Sequence, residues 1–268
     1  MDVVTIGDRR REHLEKLEAQ MGIGCRRRGK PTILAMTMMM MVVRCSPFWN
    51  TVFAQTEPTY GFTKLAFNCE IQEPYNLKAV DRFSFANGVY DMWVLRSDKP
   101  FLEGSRTMPR SELRVVGHDY SSGKWQFEGD FYVASNITGI CIMQIFGGSP
   151  TTATALQIRI SKGELLRYGG GSPTRTIAAN IYNRWIHLNV IHDADMKYIQ
   201  IYVDNLLVHE EFNDNYKRHY FKYGAAYTEE NASPCLESKW RNVGVWKKSS
   251  QVNREVLFHG GTASCFPQ

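Results

Sequence analysis

The chain has 268 residues, 43% of them hydrophobic and 22% charged with mixed sign, enough for one large domain with its own core and inconsistent with wholesale disorder. The formal net charge of +5 is unevenly distributed: nine of the 32 basic and five of the 27 acidic residues fall within 1–54, and the remaining 23 and 22 nearly cancel. Past residue 54 no basic excess is left to argue for nucleic acid or an anionic membrane.

The first 54 residues read as a leader. "RREHLEKLEAQM" predicts a short charged helix, and Met21 stands as an alternative initiator. The basic cluster Arg26 to Lys30 precedes an apolar stretch from Ile33 to Val43, too short and interrupted for a membrane span but suited to a signal-peptide core. "TVFAQ" follows, with small residues Val52 and Ala54 at the positions a signal peptidase reads, so cleavage is expected after Ala54. The predicted organisation is a leader over 1–54 and one domain over 55–268, its core at about 60–250, with no stable membrane span after cleavage. Cys69, Cys141, Cys235 and Cys265 stay with the domain; an even number permits disulfides without fixing their pairing, and Cys141 in "GICIMQIF" reads equally as a buried free thiol. Without a CxxC pair there is no zinc or redox motif, and neither a metal nor another cofactor is expected. Two N-glycosylation sequons, Asn136-Ile-Thr138 and Asn231-Ala-Ser233, agree with secretory passage; Pro234 weakens the second.

From about residue 60 the pattern is strand almost throughout. In "KWQFEGDFYVA" Trp125, Phe127, Gly129 and Phe131 alternate with Gln126, Glu128, Asp130 and Tyr132. "RWIHLNVIH" sets Ile186, Leu188 and Val190 against Trp185, His187 and Asn189, and "KYIQIYVDNLLVHEEF" sets Ile199, Ile201 and Val203 against Tyr198, Gln200 and Tyr202. Turn residues separate these runs, and "QIRISKGELLRY" predicts a hairpin turning at Lys162-Gly163. With no long amphipathic helix, coiled coil or repeat, the fold class is all-β: a jelly-roll β-sandwich of two antiparallel sheets. "HDAD" and Asn213-Asp214-Asn215 read as turns rather than calcium loops.

One face of each strand packs inward, which leaves the other to be explained. In "PRSELR" Arg110, Glu112 and Arg114 share a face, opposite Ser111 and Leu113. Gln144/Phe146, Gln157/Arg159, His187/Asn189, Gln200/Tyr202 and Tyr220/Lys222 likewise mix amides, cations and aromatics. Such rows suit sugars and carboxylates, and they also suit a wet outer sheet with ordinary cross-strand pairs.

The segments "GFTKLAFN", "IQEPYNL", "RTMPRSELR", "HDYSSGKWQFEG", "IMQIFG", "IYNRWIHLNVIHD", "YVDNLLVHE" and "HYFKYGAAY", in this order from about Gly61 to Trp246, resemble the plant citrate-binding proteins of the alginate-lyase-like jelly-roll superfamily. The resemblance implies a curved sheet with a concave ligand groove and a secreted or vacuolar plant protein. It matches the lyases' Arg-(Ser/Thr)-Glu-Leu-Arg strand to Arg110–Arg114, their Gln-Ile-His strand to Gln144-Ile145-Phe146, and their Tyr-Phe-Lys-x-Gly…Tyr segment to Tyr220–Gly224 with Tyr227 as the final tyrosine. A uronate lyase neutralises the sugar carboxylate and moves a proton; by resemblance Arg110, Gln144 and Tyr227 would be catalytic if the protein were a lyase. Two departures stand out: Phe146 occupies the histidine position, and Gly224-Ala225-Ala226-Tyr227 is one residue longer than Gly-x-Tyr. His118 and His187 are spare histidines that no motif places at the reaction centre. The expectation is therefore a monomeric binder of citrate or an acidic oligosaccharide, its ligand held by Arg110, Glu112, Arg114, Gln144, Arg159, Tyr220 and Lys222. Glu112 is expected to hold both arginines in place. A polyuronate lyase working by β-elimination is the alternative, and a structural or defence-related wall protein the third.

Overall fold

A computed structural model describes residues 58–147, 153–169, 172–213 and 218–249. The leader, its cleavage point, Cys25, Cys45, Cys265 and the Asp214-Asn215 pair lie outside these. The strands are β1 (Phe62–Leu65), β2 (Asn68–Gln72), β3 (Phe83–Ala86), β4 (Val89–Leu95), β5 (Arg110–Val116), β6 (Lys124–Tyr132), β7 (Ile140–Phe146) and β8 (Thr154–Ser161), then β9 (Glu164–Gly169), β10 (Ser172–Ala178), β11 (Ile186–Asp193), β12 (Tyr198–Val203), β13 (Leu206–Phe212), β14 (Tyr220–Tyr227) and β15 (Cys235–Lys248). The one described helical turn is a 3-10 turn at Ala79–Asp81. One sheet has seven strands in the order β10-β9-β8-β7-β14-β5-β2; the other has eight, β13-β12-β11-β6-β15-β4-β3, with β1 also paired to β15. Each strand pairing in both sheets is antiparallel, as the jelly-roll expectation requires.

Local chemistry explains the connections. The predicted hairpin turns at Lys162 (φ 50°) and Gly163 (φ 82°), and Ser161 pairs with Glu164. Asn87-Gly88 and Asp204-Asn205 make the β3–β4 and β12–β13 turns in the same way, with both central residues at positive φ. That is the type I′ geometry, whose twist matches the flanking strands.

The inward faces of the sheets meet in one core. Phe127, Phe221, Tyr223 and Trp240 lie with ring centroids 5.5–5.8 Å apart, and Ile199, Ile201, Leu188 and Val190 are wholly buried, as their alternation predicts. Arg167 crosses between sheets: buried, it reaches Glu211 at 2.7 Å. Towards one end of the core, the Tyr120 hydroxyl sits 2.9 Å from Nδ1 of buried His192, whose ring stands edge-on to His219 at 4.7 Å. Cys69 and Cys141 are free thiols, and Cys235 is disulfide-bonded. The "HDAD" acids act as turn acceptors: Asp193 takes the Met196 N–H at 2.9 Å and Asp195 the Gly123 N–H at 3.0 Å.

Gly224 is where the two centre strands of the seven-stranded sheet approach most closely. Its φ is +145°, and a Cβ there would stand 2.4 Å from the Ser111 carbonyl oxygen and 2.8 Å from Glu112 Cα. Gly224→Ala is therefore expected to cost about 1–3 kcal/mol through backbone strain and a forced shift of β5, read as a lowered urea midpoint at unchanged slope.

Candidate functional site

The outer face of the seven-stranded sheet gathers most of the residues picked out from the sequence. Register fixes the rows. Tyr168, Gln157, Gln144, Lys222, Arg114 and Glu70 are successive cross-strand partners from β9 to β2. The adjoining row runs Leu166, Arg159, Cys141, Ala226 and Arg110. Cys141 and Gln144 can share the face because a register shift between β7 and β8 absorbs the odd residue.

Glu112 is the centre. Its carboxylate is wholly buried and meets Lys222 Nζ at 2.7 Å, Arg110 Nη1 at 3.5 Å and the Gln144 amide in a short hydrogen bond. Burial alone would raise this carboxyl; Lys222 and then Arg110 outweigh it and hold Glu112 below the usual carboxylate range, so it stays ionised. The partner directly across from Glu112 is Gly224, which has no side chain, so the carboxylate reaches past it to Lys222 and Gln144.

This corrects the expectation that Glu112 holds both arginines. Arg114 belongs to a different cluster, bonded to Asp119 at 2.8 Å, near Glu70 at 3.8 Å, with its guanidinium 4.1 Å from the Tyr220 ring. Residues two apart on a strand lie farther from each other than cross-strand neighbours, so each charge finds its partner sideways. Lys222 is 1% exposed and committed to Glu112, so it braces the site rather than presenting a free cation.

Two arginines keep capacity for a ligand. Arg110 has only long bonds, 3.5 Å to Glu112 and 3.4 Å to the Met108 carbonyl, and its buried Nε has no partner. Arg159 donates from Nε to Gln157 at 2.6 Å and lies 3.4 Å from the centroid of the Tyr168 ring, with no carboxylate bridged to it among the described residues. Between them the row is floored by Cys141 and Ala226, both small and buried. Three inter-strand steps separate the arginine backbones by about 14 Å, and both side chains are long enough to lean over that floor.

The proton-transfer half is missing. Phe146 stacks on Tyr220 at 5.0 Å and lies 5.5 Å from Lys222 Nζ; it offers no titrating nitrogen. Tyr227 is on the core side, 5% exposed, its hydroxyl 2.9 Å and 2.6 Å from the Ser233 and Pro234 carbonyls. The extra residue explains this: alternation along β14 sends Tyr220, Lys222, Gly224 and Ala226 outward and leaves Tyr227 facing in. Burial raises the phenols of both Tyr227 and Tyr220. Burial, then the Glu112 charge, pushes the Cys141 thiol up to about 12. The described groups on this face bind and neutralise anions; none is set to take a proton near neutrality. Of the spare histidines, His187 bonds Asp130 at 2.8 Å on the other sheet, and His118 lies 2.7 Å from the Ala66 carbonyl oxygen.

Sequence reasoning missed Tyr168 and Asp119 as supports of Arg159 and Arg114. Tyr168 alternates outward in "LLRYGG", a visible signal; Asp119 lies on a loop, where periodicity is silent.

The alginate lyase sequence profile matches residues 67–247. The chain belongs to the alginate lyase family. A citrate-binding protein from Hevea brasiliensis is 39% identical over 211 residues, covering 78% of this chain and 87% of that one. Among solved structures, alginate lyase AlgAT5 of polysaccharide lyase family 7 superposes with a TM-score of 0.54 at 17% identity, over 66% of this chain and 93% of the enzyme. Alginate lyase A1-II′, of the same family, gives 0.55 at 13% identity over 68% and 95%. At such identities these enzymes show that this member of the alginate lyase family shares their fold.

Proposed function

We propose that the protein is a non-cleaving binder of carboxylate-rich ligands, citrate first and acidic oligosaccharide ends second, on the outer face of the seven-stranded sheet. The observation that carries this is the contrast between Lys222, saturated by Glu112, and the Arg110–Arg159 pair, under-bonded across a floor of small side chains. An arginine–carboxylate contact of good geometry is bidentate and contributes about 1.5–3 kcal/mol. Citrate's carboxylates supply what both guanidiniums lack, and Gln157 and Gln144 stand between them to take a hydroxyl. The citrate-binding relative supports the ligand class, and the leader read in residues 1–54 adds a secretory route, to vacuole or wall.

β-Elimination is the competing reading, since the fold is that of lyases and Arg110 and Gln144 are retained. It is tested by incubating the purified protein with a panel of polyuronates and following the ultraviolet absorbance of the unsaturated product. No turnover is expected, because Phe146 and Ala226 occupy the two outward positions where the lyase pattern carries histidine and tyrosine. Turnover that Arg110→Ala abolishes would replace binding by catalysis.

A further inference from the structure

The sandwich also opens between its sheets, on the side where the edge strands β2 and β3 stand, and a cavity of about 570 Å³ enters there. Its size is that of a small-molecule site, roughly 300–1,000 Å³. Leu65, Phe67, Ile71, Phe83, Tyr90 and Val243 line it; all six pack against the core yet stay partly exposed. Apolar side chains gathered around one opening differ from hydrophobics scattered singly over a surface. Neither a cation nor a carboxylate is among the side chains lining it, so the anions suited to the outer face have no partner here. Polar character is confined to one place. Cys69, a free thiol, lines the cavity with its sulfur 3.8 Å from the hydroxyl of Tyr223, which is wholly buried. A thiol is a weak hydrogen-bonding partner, and at that distance it leaves the hydroxyl capacity for a better one.

We infer that this cavity binds a small uncharged aromatic molecule carrying one hydroxyl, a simple phenol, with its ring among Phe67, Phe83 and Tyr90 and its hydroxyl towards Cys69 and Tyr223. Phe83 and Tyr90 already sit tilted at 6.5 Å, the spacing of an aromatic wall, so a third ring extends their arrangement. The binding is non-covalent and independent of the arginine face.

The thiol reports occupancy. In the full chain, iodoacetamide labelling read by peptide mass mapping is expected to modify Cys69 and spare buried Cys141. p-Cresol is expected to slow Cys69 labelling saturably, about tenfold at ten times its Kd, while benzoate, of similar size but charged, leaves the rate unchanged. Ala79→Trp, which fills the cavity from its rim, is expected to abolish p-cresol protection at an unchanged melting temperature; Ile71→Trp replaces it if that variant unfolds. The proposal is overturned if p-cresol does not slow labelling, if benzoate slows it equally, or if protection survives the filling substitution. It is equally overturned if Cys69 resists labelling in the untreated full chain, because the opening is then already filled by another part of the chain or a second copy.

Discussion

Replacing Lys222 with methionine is expected to lower the stability of the folded protein by about 3–5 kcal/mol, the cost of leaving one partner of a buried ion pair behind. Glu112 and Lys222 are 0% and 1% exposed and 2.7 Å apart. Without the ammonium, the carboxylate keeps only the Gln144 amide and Arg110 at 3.5 Å, and its proton affinity rises. The loss is therefore expected to be larger at pH 8, where Glu112 must ionise without compensation, than at pH 5, where it can take a proton. Glu112→Gln should also destabilise, by stranding the ammonium, whereas the double variant recovers much of the loss. A double-mutant cycle from urea denaturation midpoints measures this coupling. Additive single effects would mean that Lys222 is not committed to Glu112, and the view of it as a brace would fall.

Acid is expected to weaken the fold through His192. The ring is wholly buried against Tyr120 and His219, and burial, then the neighbouring His219, pushes its pKa down from 6.5 to about 3, with Asp193 opposing weakly. The unfolded chain takes this proton near pH 6.5 and the folded chain only near pH 3. Between those values the unfolded state binds more protons, so stability rises with pH: the contribution is complete above about 6.5 and is lost progressively as pH falls towards 3. The full span corresponds to about 4–5 kcal/mol. Melting temperatures from pH 7 to pH 4 should fall steeply in the wild type and less in His192→Leu, even though the variant starts lower for want of a partner to the Tyr120 hydroxyl. Parallel curves would show that other groups carry the acid sensitivity.

How far the sequence can be read depends on the kind of constraint. Period-two alternation forces side chains to one face or the other, so spacing alone puts Arg110, Glu112 and Arg114 together and assigns Phe127 and Ile201 to the core. Glycine between two alternating runs marks the Lys162-Gly163 turn. What alternation cannot supply is the partner across the sheet. Glu112 pairs with Lys222, 110 positions away in sequence, through a gap left by Gly224, and nothing local to "PRSELR" encodes that register. Tyr227 is the converse case: counting along β14 leaves its facing open, and only the register, with Ala226 opposite Arg110, resolves it. The support of Arg114 by Asp119 comes from a loop and is illegible for the same reason that loops are variable.

The central claim is that under-bonded arginines, not a catalytic dyad, define this site, and a calorimetric titration of citrate at low ionic strength tests it most directly. Wild type is expected to bind a single citrate, and Arg110→Ala and Arg159→Ala each to weaken it roughly ten- to a hundredfold, with melting temperatures close to wild type because neither arginine is fully buried. Citrate binding that survives both substitutions unchanged, or no citrate binding by the folded wild-type protein, would contradict the account.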